Sequence, residues 1–310
     1  MTNPRILIAL STFAQEGSAP LELLKKSGVV FEINATGKRL SKPEVLTMAQ
    51  GFDGVVAGLE PYDAEVLATL SQLKCISRCG VGVDNVDLNV AKQKGVTVLN
   101  TPDVVVQPVA ELTLGLIFDL SRKLTAHTEL MRQGKWERLT GAQVAGKTVG
   151  VIGLGRIGRR VAQLLRRLDV DVLGYDIAPD PVWAKANNVV LVEREDLLSR
   201  ADIVTLHVSS GPGHAFCLTA AELGRMKEGA MLINVARGSL VDEKSLVEAL
   251  KSGHLAGAGL DVYAEEPYNG ELCRLPNVVL TPHVGTLTRE SRLIMEIEAV
   301  QNILKFFGKG

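Results

Sequence analysis

Neither sign of charge predominates in this sequence: 34 basic against 35 acidic residues leave a formal net charge of −1. A chain so balanced offers no broad attraction to nucleic acid or to an anionic membrane, which turns the reading toward small-molecule chemistry. No apolar run is long enough to cross a bilayer. The opening run MTNPRILIALSTF is interrupted at Ser11 and Thr12, too soon for a secretory leader, and reads instead as a first buried strand. Cysteine is scarce. Cys75, Cys79, Cys217 and Cys273 are scattered, form no C-x-x-C pair and have no partners at zinc-site spacing, so they read as small hydrophobes in a reducing cytoplasm, with no metal expected. Low-complexity segments and short-period repeats are lacking too, which excludes solenoids and disordered tracts.

What is present is a rhythm. Short Val- and Ile-rich runs alternate with amphipathic stretches: RILIAL (5–10), GVVAGL (54–59), KCISRC (74–79) and VTVLN (96–100). This is the pattern of parallel strands joined by helices. After Pro102 a Leu-, Ala- and Ile-dense stretch from Pro108 to His127, broken only by Gly115, predicts one long buried helix and a passage between domains. The rhythm restarts with TVGVIGLG (148–155), VDVLGYD (170–176), ADIVTLHV (201–208), GAMLINVA (229–236), HLAGAGLDV (254–262) and NVVLTPHV (277–284). From Thr288 to Phe307, the spacing of Leu293, Ile294, Ile297, Val300 and Leu304 predicts a helix that returns to the first domain. At 310 residues two domains are expected. The predicted architecture is α/β with two doubly wound parallel sheets: a first domain over 1–101, an inserted second domain over 102–283, and a returning helix within 284–310.

Gly153-Leu154-Gly155-Arg156-Ile157-Gly158 follows an apolar strand and opens a helical run, the setting in which a G-x-G-x-x-G stretch binds a dinucleotide. Gly153 permits the tight turn, Gly155 the approach of a pyrophosphate, and Gly158 close helix–strand packing, while Arg156 and Ile157 lie in the helix's first turn, whose N–H groups face the anion. Asp176, at the end of the next strand, suits the adenosine ribose hydroxyls. No cation follows it and it would repel a 2′-phosphate, so NAD is favoured over NADP.

Hydride transfer at an alcohol carbon requires a base for the hydroxyl proton and a fixed hydride acceptor, and an acidic substrate adds the need for a cation. Arg237, Glu266 and His283 each follow a predicted strand at its carboxyl end, where an open parallel sheet builds its ligand crevice. Glu265 competes with Glu266, and only the place immediately before Pro267 singles out the second. The other histidines, His127, His207, His214 and His254, read as structural.

VARGSLVDE (235–243), GLDVYAEEP (259–267) and TPHVG (281–285) resemble the signatures of the D-isomer-specific 2-hydroxyacid dehydrogenase family. RCGVGVDNVD (78–87), NTP (100–102), VAE (109–111) and GKWER (134–138) further resemble its 3-phosphoglycerate dehydrogenase branch. The resemblance spans nearly the whole chain. It implies a Rossmann-type NAD domain inserted in a flavodoxin-like substrate domain, with the active site in the cleft. His283 would be the general acid/base, Glu266 the partner that stabilises its imidazolium, and Arg237 the grip on the substrate carboxylate. Asp261 would bond the nicotinamide carboxamide, with Val235, Ala236, His283 and Gly285 beside the cofactor, and the Val81 and Gly82 amides would cradle the carboxylate. A homodimer through the NAD domains is implied as well.

Two departures bear on substrate. Where phosphoglycerate dehydrogenases carry an arginine after the strand ending near Val56, this chain has Ala57-Gly58-Leu59-Glu60, which leaves Arg78 as the cation expected to face a distal anion. HVSSGPGHAF (207–216) replaces the more usual H-T-P-L, weakening any role for Ser209. With the sequence ending at Gly310, no regulatory C-terminal domain, and no serine feedback through one, is expected. The substrates in contention are 3-phosphoglycerate, hydroxypyruvate or glyoxylate, and other anionic three-carbon acids such as sulfolactate. The rival of another class is an NAD(H)-sensing corepressor-like binding protein on the same fold.

Overall fold

The structure is a computed structural model that describes residues 3–209 and 216–309. The chain divides into two compact units, Met1–Val105 with Thr286–Gly310, and Val106–Gly285. The divisions fall at 105/106 and 285/286, a few residues beyond the turns at which the sequence suggested them.

In the first unit, β1 (Arg5–Ile8), α1 (Ala19–Ser27), β2 (Val30–Ile33), α2 (Lys42–Met48), β3 (Gly54–Ala57), α3 (Ala64–Thr69), β4 (Cys75–Arg78), α4 (Leu88–Lys94) and β5 (Thr97–Leu99) alternate. The parallel sheet runs β2-β1-β3-β4-β5, the flavodoxin-like order. Strand β2 escapes the sequence pattern because it lies at the sheet edge with no buried residue, so no apolar run was needed. The C-terminal helix, Arg289–Phe306, packs on this sheet, and Ser77 donates its hydroxyl to the Ala299 carbonyl at 2.7 Å. Its buried stripe is Met295/Glu296, Ala299/Val300 and Ile303/Leu304. Ile294, predicted to point inward, is half exposed, because the face that meets the sheet is centred on Ala299.

The second unit opens with α5 (Val106–Arg122) and α6 (Leu124–Arg132). These replace the single helix expected over 108–127. Lys123 adopts φ +54, a left-handed break, and Asp119 holds the start of α6 by accepting from the Thr125 N–H (2.8 Å) and hydroxyl (2.5 Å). There follow β6 (Thr148–Ile152), α7 (Arg156–Arg166), β7 (Asp171–Tyr175), α8 (Pro181–Ala186), β8 (Val189–Leu191), α9 (Arg194–Arg200), β9 (Ile203–Leu206), α10 (Ala220–Arg225), β10 (Ala230–Asn234), α11 (Glu243–Lys251), β11 (Leu255–Leu260) and β12 (Val278–Leu280). The parallel order β12-β11-β10-β9-β6-β7-β8 reverses between β6 and β9, the switch point at which doubly wound sheets bind ligands. The strands β6, β9 and β10 are almost wholly buried, which is why they read as continuous apolar runs.

Candidate active site

The glycine turn stands at the carboxyl end of β6. Gly153 has φ +93, and a Cβ there would press on the His207 carbonyl; one at Gly158 would fall on the Gly153 carbonyl. Both glycines are therefore demanded by the chain itself. Gly155 is different: its backbone is extended, and a Cβ would meet nothing within 4 Å. Neither conformation nor packing requires glycine there, so the open space above it suits a group from outside the chain. Gly155 also caps α7 without a side-chain bond, leaving that helix's first-turn donors, from Arg156 and Ile157 onward, for an anion. Asp176 accepts from the Leu154 N–H (2.6 Å) and the Ala178 N–H (2.9 Å), so it fixes the turn and keeps lone pairs for a diol. The residues present fit a dinucleotide. His207 ends β9 under the turn, 2.9 Å from the Thr205 hydroxyl, and burial pushes it down to about 3, which keeps it neutral.

The second cluster builds on the ends of β10, β11 and β12. Buried Asn234 accepts from the Ala236 N–H (3.1 Å) and donates to the Arg237 carbonyl (2.8 Å), so it shapes the turn through Val235 and Ala236 that presents Arg237. Gly238 follows because a Cβ would overlap the Tyr263–Ala264 peptide; the Arg237 turn rests directly on the loop that carries Glu266. Arg237 donates to the Ala236 carbonyl at 2.6 Å.

Glu266 Oε2 lies 2.8 Å from Nδ1 of His283, and Oε1 accepts from the Tyr263 N–H at 3.2 Å. Of the two adjacent acids, Glu266 is therefore the one bonded to the histidine. His283 has φ +55, uncommon for a residue with a side chain, and the strap around it is pinned from below. Asp261, 1% exposed, accepts from the Thr281 hydroxyl (2.6 Å), the Val284 N–H and the Gly285 N–H (both 2.8 Å). Burial pushes the Asp261 carboxyl up, and those three donors oppose the rise. The Tyr263 hydroxyl adds bonds to the Leu260 (3.2 Å) and Thr281 (3.0 Å) carbonyls. Asn234, Tyr263 and Thr281 were not singled out in the sequence; a polar residue closing each apolar strand was the only signal.

In the first unit, Gly80 (φ +142) is held by the Thr101 hydroxyl, and Asn100 bonds the Val81 carbonyl at 2.8 Å. The Val81 and Gly82 N–H groups donate to no acceptor among the described residues, as an anion nest requires. Arg78 is 8% exposed and donates to the Cys79 carbonyl.

His127 accepts from the Leu139 N–H (3.0 Å) and His254 lies 3.1 Å from the Leu223 carbonyl; His214 lies outside the described residues, as does most of 207–216. Cys75 and Cys79 are buried, as small hydrophobes would be, Cys217 is partly so, and Cys273 is exposed. No helix among the described residues is long and apolar enough to cross a membrane.

Residues 114–285 match the family described as D-isomer specific 2-hydroxyacid dehydrogenase, NAD binding domain. A D-3-phosphoglycerate dehydrogenase of Archaeoglobus fulgidus is 36% identical over 92% of this chain and 54% of its own length, so the chain spans about half of that relative. A hydroxypyruvate reductase of Thermotoga maritima is 35% identical over 89% of this chain and 92% of its own. The crystal structure of the TT0316 protein from Thermus thermophilus superposes with a TM-score of 0.88 at 37% identity, covering 97% of this chain and 96% of that one. With its glycine turn, its Arg, Glu and His at three successive strand ends and these likenesses, the chain belongs to the D-isomer-specific 2-hydroxyacid dehydrogenase family, whose matched domain binds NAD.

Proposed function

We propose that the chain is an NAD-dependent dehydrogenase interconverting a small D-2-hydroxy acid and its 2-oxo acid; the observation that carries the reading is the 2.8 Å pairing of His283 with Glu266. The bound nicotinamide supplies or accepts the hydride. Everything else falls to the chain. With Nδ1 engaged by Glu266, Nε2 of His283 is the nitrogen that gives a proton to the carbonyl oxygen in reduction and takes it from the hydroxyl in oxidation. Arg237, planar and always charged, grips the carboxylate and polarises the carbonyl. Asp261 spends three of its roughly four acceptor sites on the strap and keeps one for the carboxamide. Asp176 selects NAD against its 2′-phosphorylated form.

The proposed setting is the cytoplasm and the proposed assembly a homodimer through the second unit. Helix α6 supports the latter: none of its residues is buried, and Leu124 and Met131 are exposed close to Trp136, which is 77% exposed. The test is NADH oxidation with hydroxypyruvate and glyoxylate. His283→Ala should cut kcat by about 10² or more while NADH binding changes little. Turnover within a few-fold of wild type would remove His283 from the chemistry.

A further inference from the structure

The loop that follows β11 makes more bonds than are needed to bring its acid to the histidine, and most of them converge on Tyr263. The backbone N–H of Tyr263 donates to Oε1 of Glu266 at 3.2 Å, on the carboxylate whose other oxygen meets His283. Its hydroxyl reaches the opposite way and is shared between the Leu260 carbonyl (3.2 Å) and the Thr281 carbonyl (3.0 Å). That Thr281 carbonyl also accepts the His283 N–H, at 3.1 Å. One residue thus ties down both partners of the 2.8 Å pair. The third member of the site leans on it too: Gly238, next after Arg237, packs so closely on the Tyr263 carbonyl that a Cβ would overlap it.

The ring of Tyr263 is itself braced. It stacks on Tyr268 with centroids 4.4 Å apart and planes 14° from parallel. The Tyr268 hydroxyl donates to Glu243 at 2.6 Å, in the first turn of α11, and accepts from the Leu272 N–H at 3.3 Å. Both rings lie half-buried against the core of the second unit. Burial pushes the Tyr263 phenol up, so its hydroxyl stays a donor through the neutral range. His283, at φ +55, occupies a backbone region that a residue with a side chain holds only when its neighbours impose it. Asp261 fixes the amides after it; Tyr263 fixes the carbonyl before it.

We infer that Tyr263 is a positioning residue for the proton transfer: its amide fixes Glu266, its hydroxyl fixes the turn into His283, and together they set where Nε2 of His283 points. The inference rests on the dehydrogenase reading above. The Tyr263 hydroxyl is spent on two carbonyls of the chain, so it acts through the histidine and not on the substrate. A proton donor displaced by about 1 Å can lose about 10² in rate. A hydroxyl that only stabilised the fold would change the unfolding temperature and leave the turnover of folded protein alone. One that aims the histidine changes turnover and leaves binding in place.

Tyr263→Phe keeps the ring and its stack on Tyr268 and removes only the hydroxyl. With NADH and hydroxypyruvate or glyoxylate, whichever wild type reduces faster, kcat should fall about tenfold while both KM values stay within about twofold. Beside His283→Ala the same substitution should change the rate, read from NADH absorbance in single turnovers, by less than about threefold, because the group it aims is gone. Three results overturn the inference and leave the dehydrogenase intact: a folded Tyr263→Phe protein whose kcat falls less than about threefold, a loss confined to KM, or a loss that persists beside His283→Ala. Should Tyr263→Phe fail to fold, Tyr268→Leu decides, since it removes the bracing ring and leaves the hydroxyl. A kcat lowered about threefold or more at unchanged KM then supports the inference, and any smaller loss overturns it. Failure of wild type to reduce any 2-oxo acid is a different result, which removes the dehydrogenase reading and this inference with it.

Discussion

At the scale of single residues the site is a set of side chains that fix one another. His283 is bonded through Nδ1 to Glu266, so that carboxylate fixes which ring nitrogen is left for the substrate. Glu266→Ala releases the ring. Its turnover should fall about tenfold or more with KM little changed, while Glu266→Gln, which keeps an acceptor for Nδ1, should lose less. The check is kcat and KM for both variants, with a deuterium isotope effect showing that hydride transfer limits the rate. Unchanged turnover in Glu266→Ala would make the 2.8 Å contact a mere loop tether. The types of these residues were legible in the sequence because chemistry restricts them to few choices. Their supports were not: Asp261 reaches amides 23 and 24 residues away, and Asn234 shapes a turn through backbone atoms, and neither leaves a compositional trace.

Among elements, the strands in the middle of each sheet were legible, as were the edge strands β5 and β12, whereas the edge strands β2 and β8 were not. Strands β2 and β8 are short, lie at sheet margins and bury at most one residue each. The break at Lys123 escaped for another reason: a left-handed residue costs a local penalty that a capping acid elsewhere offsets, and Asp119 looks like any helix surface residue. Substitution separates the two readings. In a continuous helix Lys123→Gly would lose about 1 kcal/mol. At φ +54 glycine is the residue best suited, so Lys123→Gly should be neutral or stabilising, while Lys123→Val should lose about 1–2 kcal/mol. Denaturant midpoints at constant slope give both values, and a destabilised Lys123→Gly protein would restore the single helix.

The whole molecule raises the question of what covers α6 and Trp136, whose apolar side chains the chain leaves in solvent. If a second copy covers them, light scattering should return twice the 33.3 kDa chain mass. Leu124→Glu with Met131→Glu should then yield monomers of unchanged helical content, and a monomeric wild type at micromolar concentration would dismiss the dimer. The division of the chain has another outcome, one that concerns time rather than space. The second unit is one continuous segment, whereas the sheet of the first is closed by a helix made some 180 residues after the last residue before that segment, Val105. During synthesis the second unit can fold as soon as it leaves the ribosome. The strands β3 and β4 must wait, with Gly54 and Ser77 bare until Ile303 and Ala299 arrive to cover them. The nascent chain therefore carries a finished dinucleotide fold beside an open sheet, and the open sheet is the surface on which a chaperone would act.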